Sequence, residues 1–125
     1  LRKNWGSVET FEFPVGDGTK LTKFRLELVL ANLSAGAYTD MIVSSTKFEE
    51  IGSTSNYIDR FWDLSVSNID NPLYNFTGYY LDEDVEGDES ICVSRKFSSD
   101  WSDFESVNSV SNTISGSGAT SFNPS

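Results

Sequence analysis

A chain of 125 residues carrying 19 acidic and 9 basic side chains, no histidine and one cysteine fits a single domain with a sizeable core. Without imidazole there is no histidine-based nucleophilic triad and no Cys/His zinc site, and Cys92 alone makes no internal disulfide. The formal charge of −10 repels phosphate backbones and anionic lipid heads, and no apolar run reaches transmembrane length, so neither nucleic acid nor membrane insertion is expected.

Taken in chain order, the apolar residues recur with a period of two, the spacing of half-buried strands. Phe11, Phe13 and Val15 alternate with Thr10, Glu12 and Pro14, and Gly16-Asp17-Gly18 follows as a turn. Phe24, Leu26, Leu28 and Leu30 share the next stripe, closed by the turn signal Ser34-Ala35-Gly36. Met41–Phe48 reads as a further strand ending near Gly52-Ser53. Ile58, Trp62, Leu64 and Val66 share one parity, interrupted by Arg60, which is expected to reach a sheet margin and pair with a carboxylate there. Asn68, Asp70, Asn71 and Pro72 punctuate the gap before Tyr74, Phe76 and Tyr80. Ile91, Val93 and Phe97 repeat the pattern, with Cys92 as a small buried hydrophobe, and a weak last strand is placed around Val110–Ser115.

Seven to eight strands at roughly ten-residue spacing predict an all-β fold, a two-sheet antiparallel β-sandwich of immunoglobulin-like or jelly-roll-like type. Its expected extent is residues 1–115, with 116–125 as a Ser/Gly-rich tail or linker. The inward set by parity is Phe13, Phe24, Leu26, Leu28, Ile58, Trp62, Leu64, Phe76, Tyr80, Ile91 and Val93. Leu1 opens the sequence without a start Met, which reads as a segment of a longer or processed chain whose partners include neighbouring domains.

Several short segments resemble sandwich modules of large secreted and cell-surface proteins of Bacteroidetes, typically exported by the type IX secretion system. Phe11-Glu12-Phe13-Pro14-Val15-Gly16 is similar to their opening strand. Asn56-Tyr57-Ile58-Asp59-Arg60-Phe61-Trp62-Asp63-Leu64 resembles their Asn-Arg-Tyr-Trp-x-Ile segment. Tyr79-Tyr80-Leu81-Asp82-Glu83-Asp84-Val85-Glu86-Gly87 is similar to their aromatic strand and acidic turn, and Trp101 with Asn112-Thr113-Ile114 through Ser121-Phe122 to their closing hairpin. The resemblance implies a secreted or surface-located module without catalytic activity that spaces, presents or adheres.

Three features are candidate sites. Asp82, Glu83, Asp84, Glu86, Asp88 and Glu89 crowd one turn, and hard cations prefer such oxygen-rich surroundings, so calcium is the candidate cofactor. Asp82, Asp84, Glu86 and Gly87 match positions one, three, five and six of a helix-loop-helix calcium loop, but Val93 falls where a bidentate Glu is required. What remains is a β-turn calcium site through Asp82, Asp84, Glu86 and Asp88, against a solvated hairpin that blunts edge pairing. The second feature is aromatic. Trp101 and Trp5 lie near turns, and Tyr57, Tyr79 and Phe61 fall opposite the presumed core; such rings stack on sugars, so polysaccharide is a candidate partner and a carbohydrate-binding module attached to a polysaccharide-degrading enzyme the alternative function. The third, a carboxylate pair for glycoside hydrolysis, is not distinguished from surface charge at any position.

Overall fold

The computed structural model describes residues 1–16, 21–44, 57–87, 93–98, 100–106 and 108–119. The strands are β1 (Arg2–Asn4), β2 (Thr10–Gly16), β3 (Leu21–Ser44), β4 (Tyr57–Ile58), β5 (Phe61–Tyr79), β6 (Val85–Glu86), β7 (Val93–Ser98), β8 (Asp100–Ser106) and β9 (Thr113–Ala119), with one 3₁₀ turn at Asp82–Asp84. The fold is all-β and its pairing antiparallel. Five strands form one sheet in the order β1-β3-β5-β9, with β2 also on β3; β4 pairs β6, and β7 pairs β8. The long strands β3 and β5 are joined in the five-stranded sheet.

β3 runs for 24 residues and β5 for 19, well beyond the usual strand. The turn signals Ser34-Ala35-Gly36 and Asn68 to Pro72 do not end these strands; they bend them. The register between β3 and β5 shifts between Leu28 and Leu30, between Leu30 and Asn32, and between Leu33 and Tyr38. At the last shift, residues 34–37 face Asn68 alone. Gly36 (φ +78°) and Asn68 (φ 59°) take the left-handed backbone that bulges need, and Asn68 Nδ2 donates to the Ala35 carbonyl at 3.0 Å. Asn71 (φ 48°) and Pro72 occupy the other bulge on β5, where a missing N–H breaks no ladder bond.

Each bulge moves the buried parity. On β3, Phe24, Leu26 and Leu28 are buried, then Ala37, Thr39, Met41 and Val43; Leu30, on the first parity but beyond the first shift, is 60% exposed. On β5, Asn68 carries the inward face from Leu64 and Val66 to Ile69, and Asn71 carries it back to Tyr74 and Phe76.

The bends fold the ribbon onto itself. An extended strand from Phe24 to Val43 would span about 60 Å. Phe24 pairs with Gly78 at one end of the ribbon, and Val43 pairs with Trp62 at the other. Yet the Trp62 ring lies 5.7 Å from the Phe24 ring and directly over Gly78. Both halves therefore contribute to one core of Trp5, Phe13, Phe24, Leu26, Leu28, Ala37, Met41, Val43, Ile69 and Tyr74. Ile58 and Tyr80 form a second, smaller cluster against which Trp62 also packs.

Of the expected inward residues, Phe13, Phe24, Leu26, Leu28, Ile58 and Tyr80 are buried, and Trp62, Leu64 and Phe76 are partly buried against the core. Ile91 and Cys92 lie outside the described residues, as does the Val93 side chain. At the C-terminal end two expectations are corrected. Val110 is 97% exposed at a turn rather than in a strand, and the last strand, expected around Val110–Ser115, runs from Thr113 to Ala119. Its Ser and Gly residues join the sheet because ladder bonds to Phe76, Thr77, Gly78 and Tyr79 come from backbone, not from apolar side chains.

Candidate functional site

The acidic turn is built by two segments far apart in sequence. Tyr57 pairs with Glu86 and Ile58 with Val85, and the Asp59 N–H donates to the Asp84 carbonyl at 2.6 Å. This brings Arg60 beside Asp84, with Nε 2.6 Å from Oδ2 and Nη2 3.3 Å from Oδ1. Oδ2 also accepts the Leu81 N–H at 2.8 Å, which closes the 3₁₀ turn. The guanidinium is fully buried and the carboxylate 7% exposed, between the Ile58–Tyr80 cluster and the turn. A buried charge is tolerated only when a partner and further hydrogen bonds replace its water, and Asp84 has both. Arg60 thus pairs with a carboxylate as expected, but inside the fold rather than at a margin.

That geometry changes the reading of the acidic run. Asp84 points inward to Arg60, not outward to a shared cation. Asp82 is exposed and accepts Asn112 Nδ2 at 2.6 Å, while the Tyr80 N–H donates to the Asn112 carbonyl at 3.0 Å. Glu86 is exposed, and Asp88 lies outside the described residues. Among the described residues no three Cys, Asp or Glu side chains converge as a metal-holding group.

The aromatic candidates are dispersed. Trp5, expected at the surface, is 5% exposed: its ring enters the core and Nε1 donates to Thr39 Oγ1 at 2.9 Å. A turn-proximal position misled here because β1 docks Trp5 against β3, with the Trp5 N–H on the Ala37 carbonyl at 2.9 Å. Tyr79 is half-buried on the outer face with Lys23 Nζ 4.5 Å from its ring centre. Trp5 and Tyr79 therefore do not share a face. Tyr57 sits in β4 and Trp101 opposite Phe97 in the β7–β8 hairpin, and their side chains lie outside the described set, as does that of Phe61.

The sequence reading missed the array that holds β1. Arg2 makes a bidentate pair with Asp40 (2.7 and 2.9 Å) and lies 3.7 Å from the Tyr38 ring centre. No local pattern announces it, because its partners are 36 and 38 positions away. The Arg2 hydrogen bond holds the Asp40 carboxyl below its ordinary value, and Asp40 raises the guanidinium in turn. A carboxyl lowered in the folded state adds stability above its unfolded value, near 3.9, and that contribution fades as pH falls through the folded value. In an NMR titration the Asp40 carboxyl carbon is expected to reach its midpoint at lower pH than in Arg2→Gln; coincident midpoints would refute the coupling.

No known protein family, curated protein or solved structure matches this chain.

Proposed function

We propose that the chain is a non-catalytic, structural or adhesive module of a secreted or cell-surface multidomain bacterial protein, in which the two halves of the bent sheet serve as the layers of a β-sandwich. The observation that carries this reading is the Arg60–Asp84 pair. It joins two of the segments on which the resemblance to Bacteroidetes surface modules rests, Asn56–Leu64 and Tyr79–Gly87. Arg60 and Asp84, one from each segment, pair with each other inside the fold. Asp82 and Trp5 likewise have internal partners in Asn112 and Thr39. A sheet tied together by such internal pairs suits spacing and presentation within a longer chain.

The test is affinity electrophoresis and pull-down of the chain on insoluble and soluble polysaccharides, with turnover of glycans and peptides assayed in parallel. Neither retardation nor turnover is expected. Retention on one polysaccharide, lost in Trp101→Ala or Tyr79→Ala, would replace this reading with the carbohydrate-binding one, and turnover would end it.

A further inference from the structure

The geometry points to β1 as an exchangeable strand: the Ala37–Met41 edge of β3 is an acceptor groove for residues Leu1–Trp5 of a second copy of this chain. This does not rest on the function proposed above.

The contacts of residues 1–5 form a self-contained ligand set. The ladder pairs Arg2 with Asp40, Lys3 with Thr39 and Asn4 with Tyr38. It is extended by Met41 N–H to the Leu1 carbonyl at 2.8 Å and Trp5 N–H to the Ala37 carbonyl at 2.9 Å. Backbone addition to an edge with one side chain in a pocket is the general mode by which a sheet takes up an extended peptide. Here Trp5 fills the pocket and bonds to Thr39, itself fully buried, and the Arg2–Asp40 fork sets the register.

The covalent link to the rest of the sheet adds little. Gly6, Ser7, Val8 and Glu9 are all exposed, and space around Gly6 is open. β2 covers the same side of β3 only along Leu21–Glu27, so when β1 leaves, a bare strand edge remains beside the bend. Supplied by a second copy, the strand makes the same bonds; only the loop connectivity differs.

Charge selects the occupant. Leu1–Trp5 carries Arg2 and Lys3 and no acid, a formal +2, so the rest of the chain carries −10 − 2 = −12. The groove presents Asp40 to Arg2, and Lys3 pairs with Glu9 beside it. Two acidic bodies repel, and β1 is a basic segment that each can offer to Asp40 and Glu9 of the other. Such exchange is weakened by salt.

Two arms test this. A fluorescent peptide of sequence Leu1–Ser7 is titrated onto the 125-residue chain and its Trp5→Ala variant, with anisotropy as readout. The Trp5→Ala chain, whose own strand no longer fills the pocket, is expected to capture the peptide at least tenfold more tightly than the parent, less so at high salt. The peptide carrying Trp5→Ala is captured by neither. In the second arm Ser7 and Val8 are deleted from the otherwise intact chain, so that β1 reaches a second copy more readily than its own, and light scattering is expected to give a dimer. A folded Trp5→Ala chain that ignores the peptide overturns the proposal. If that variant does not fold, the deletion decides: a monomer, or an unfolded chain, overturns it.

Discussion

Asp84→Ala is expected to lower the stability of the domain by about 3–5 kcal/mol, the usual cost of leaving one member of a buried ion pair without its partner. The carboxylate accepts from Arg60 Nε and Nη2 and from the Leu81 N–H. Removing it takes the carboxylate from a fully buried guanidinium and opens the 3₁₀ turn that positions Val85 against Ile58. Against a total of roughly 5–15 kcal/mol for an average domain, that is a large fraction. Urea unfolding is expected to show a lower midpoint with an unchanged slope, since the exposed surface on unfolding is the same. Exchanging both partners for apolar residues, Arg60→Met with Asp84→Leu, is expected to cost less than Asp84→Ala alone, because no charge is left buried. An Asp84→Ala midpoint equal to the parent's would mean that the pair is solvated, and the structural role assigned to the two segments it joins would fall with it.

How far residues alone lead to this fold is visible at β3. The stripe Phe24, Leu26, Leu28 is buried as period two dictates, and Phe13 faces the same core from β2. The stripe fails at Leu30, one step later, because a bulge inserts a residue and turns that side chain to solvent. Gly and Asn mark both hairpin turns and bulges, since both need a positive φ; Gly36 and Asn68 thus read as strand ends when they are corners inside strands. The composition of Ser34-Ala35-Gly36 does not distinguish the two outcomes, whereas cross-strand register does. Long-range partners were the least legible. Arg60 announced its need for a carboxylate by interrupting an apolar stripe, but among the acids of the Asp82–Glu89 run nothing local singled out Asp84. Trp5 had no apolar neighbours in sequence to place it in a stripe; its pocket is made by Ala37, Thr39 and Met41, more than 30 positions away. The candidate site was thus half readable: its acidic turn could be located, its inward orientation could not.

The closure of the ribbon brings Trp62 onto Phe24 and Gly78, and it can be tested with a pair of substitutions. Trp62 spans the fold, touching Phe24 and lying so close over Gly78 that a methyl group there would sit 2.8–2.9 Å from the ring carbons Cη2, Cζ2 and Cζ3. Trp62→Ala is expected to cost about 3–5 kcal/mol, because it opens a cavity bordered by both hydrophobic clusters. Gly78→Ala is expected to cost about 1–3 kcal/mol by overpacking, since Gly78 lies within the β5 ladder, with strands on both sides, and the indole is the group that must move. The decisive measurement is the double variant. With the indole gone, the added methyl meets open space and also restricts the unfolded chain, so Gly78→Ala in the Trp62→Ala background is expected to be neutral or to stabilise by about 0.5–1 kcal/mol. Chemical denaturation of the four chains gives the coupling directly. Additive costs would place Trp62 away from Gly78 and leave the two ends of the ribbon apart. A coupling of 1 kcal/mol or more carries the fold: it requires that residues paired at opposite ends of one antiparallel ribbon meet face to face.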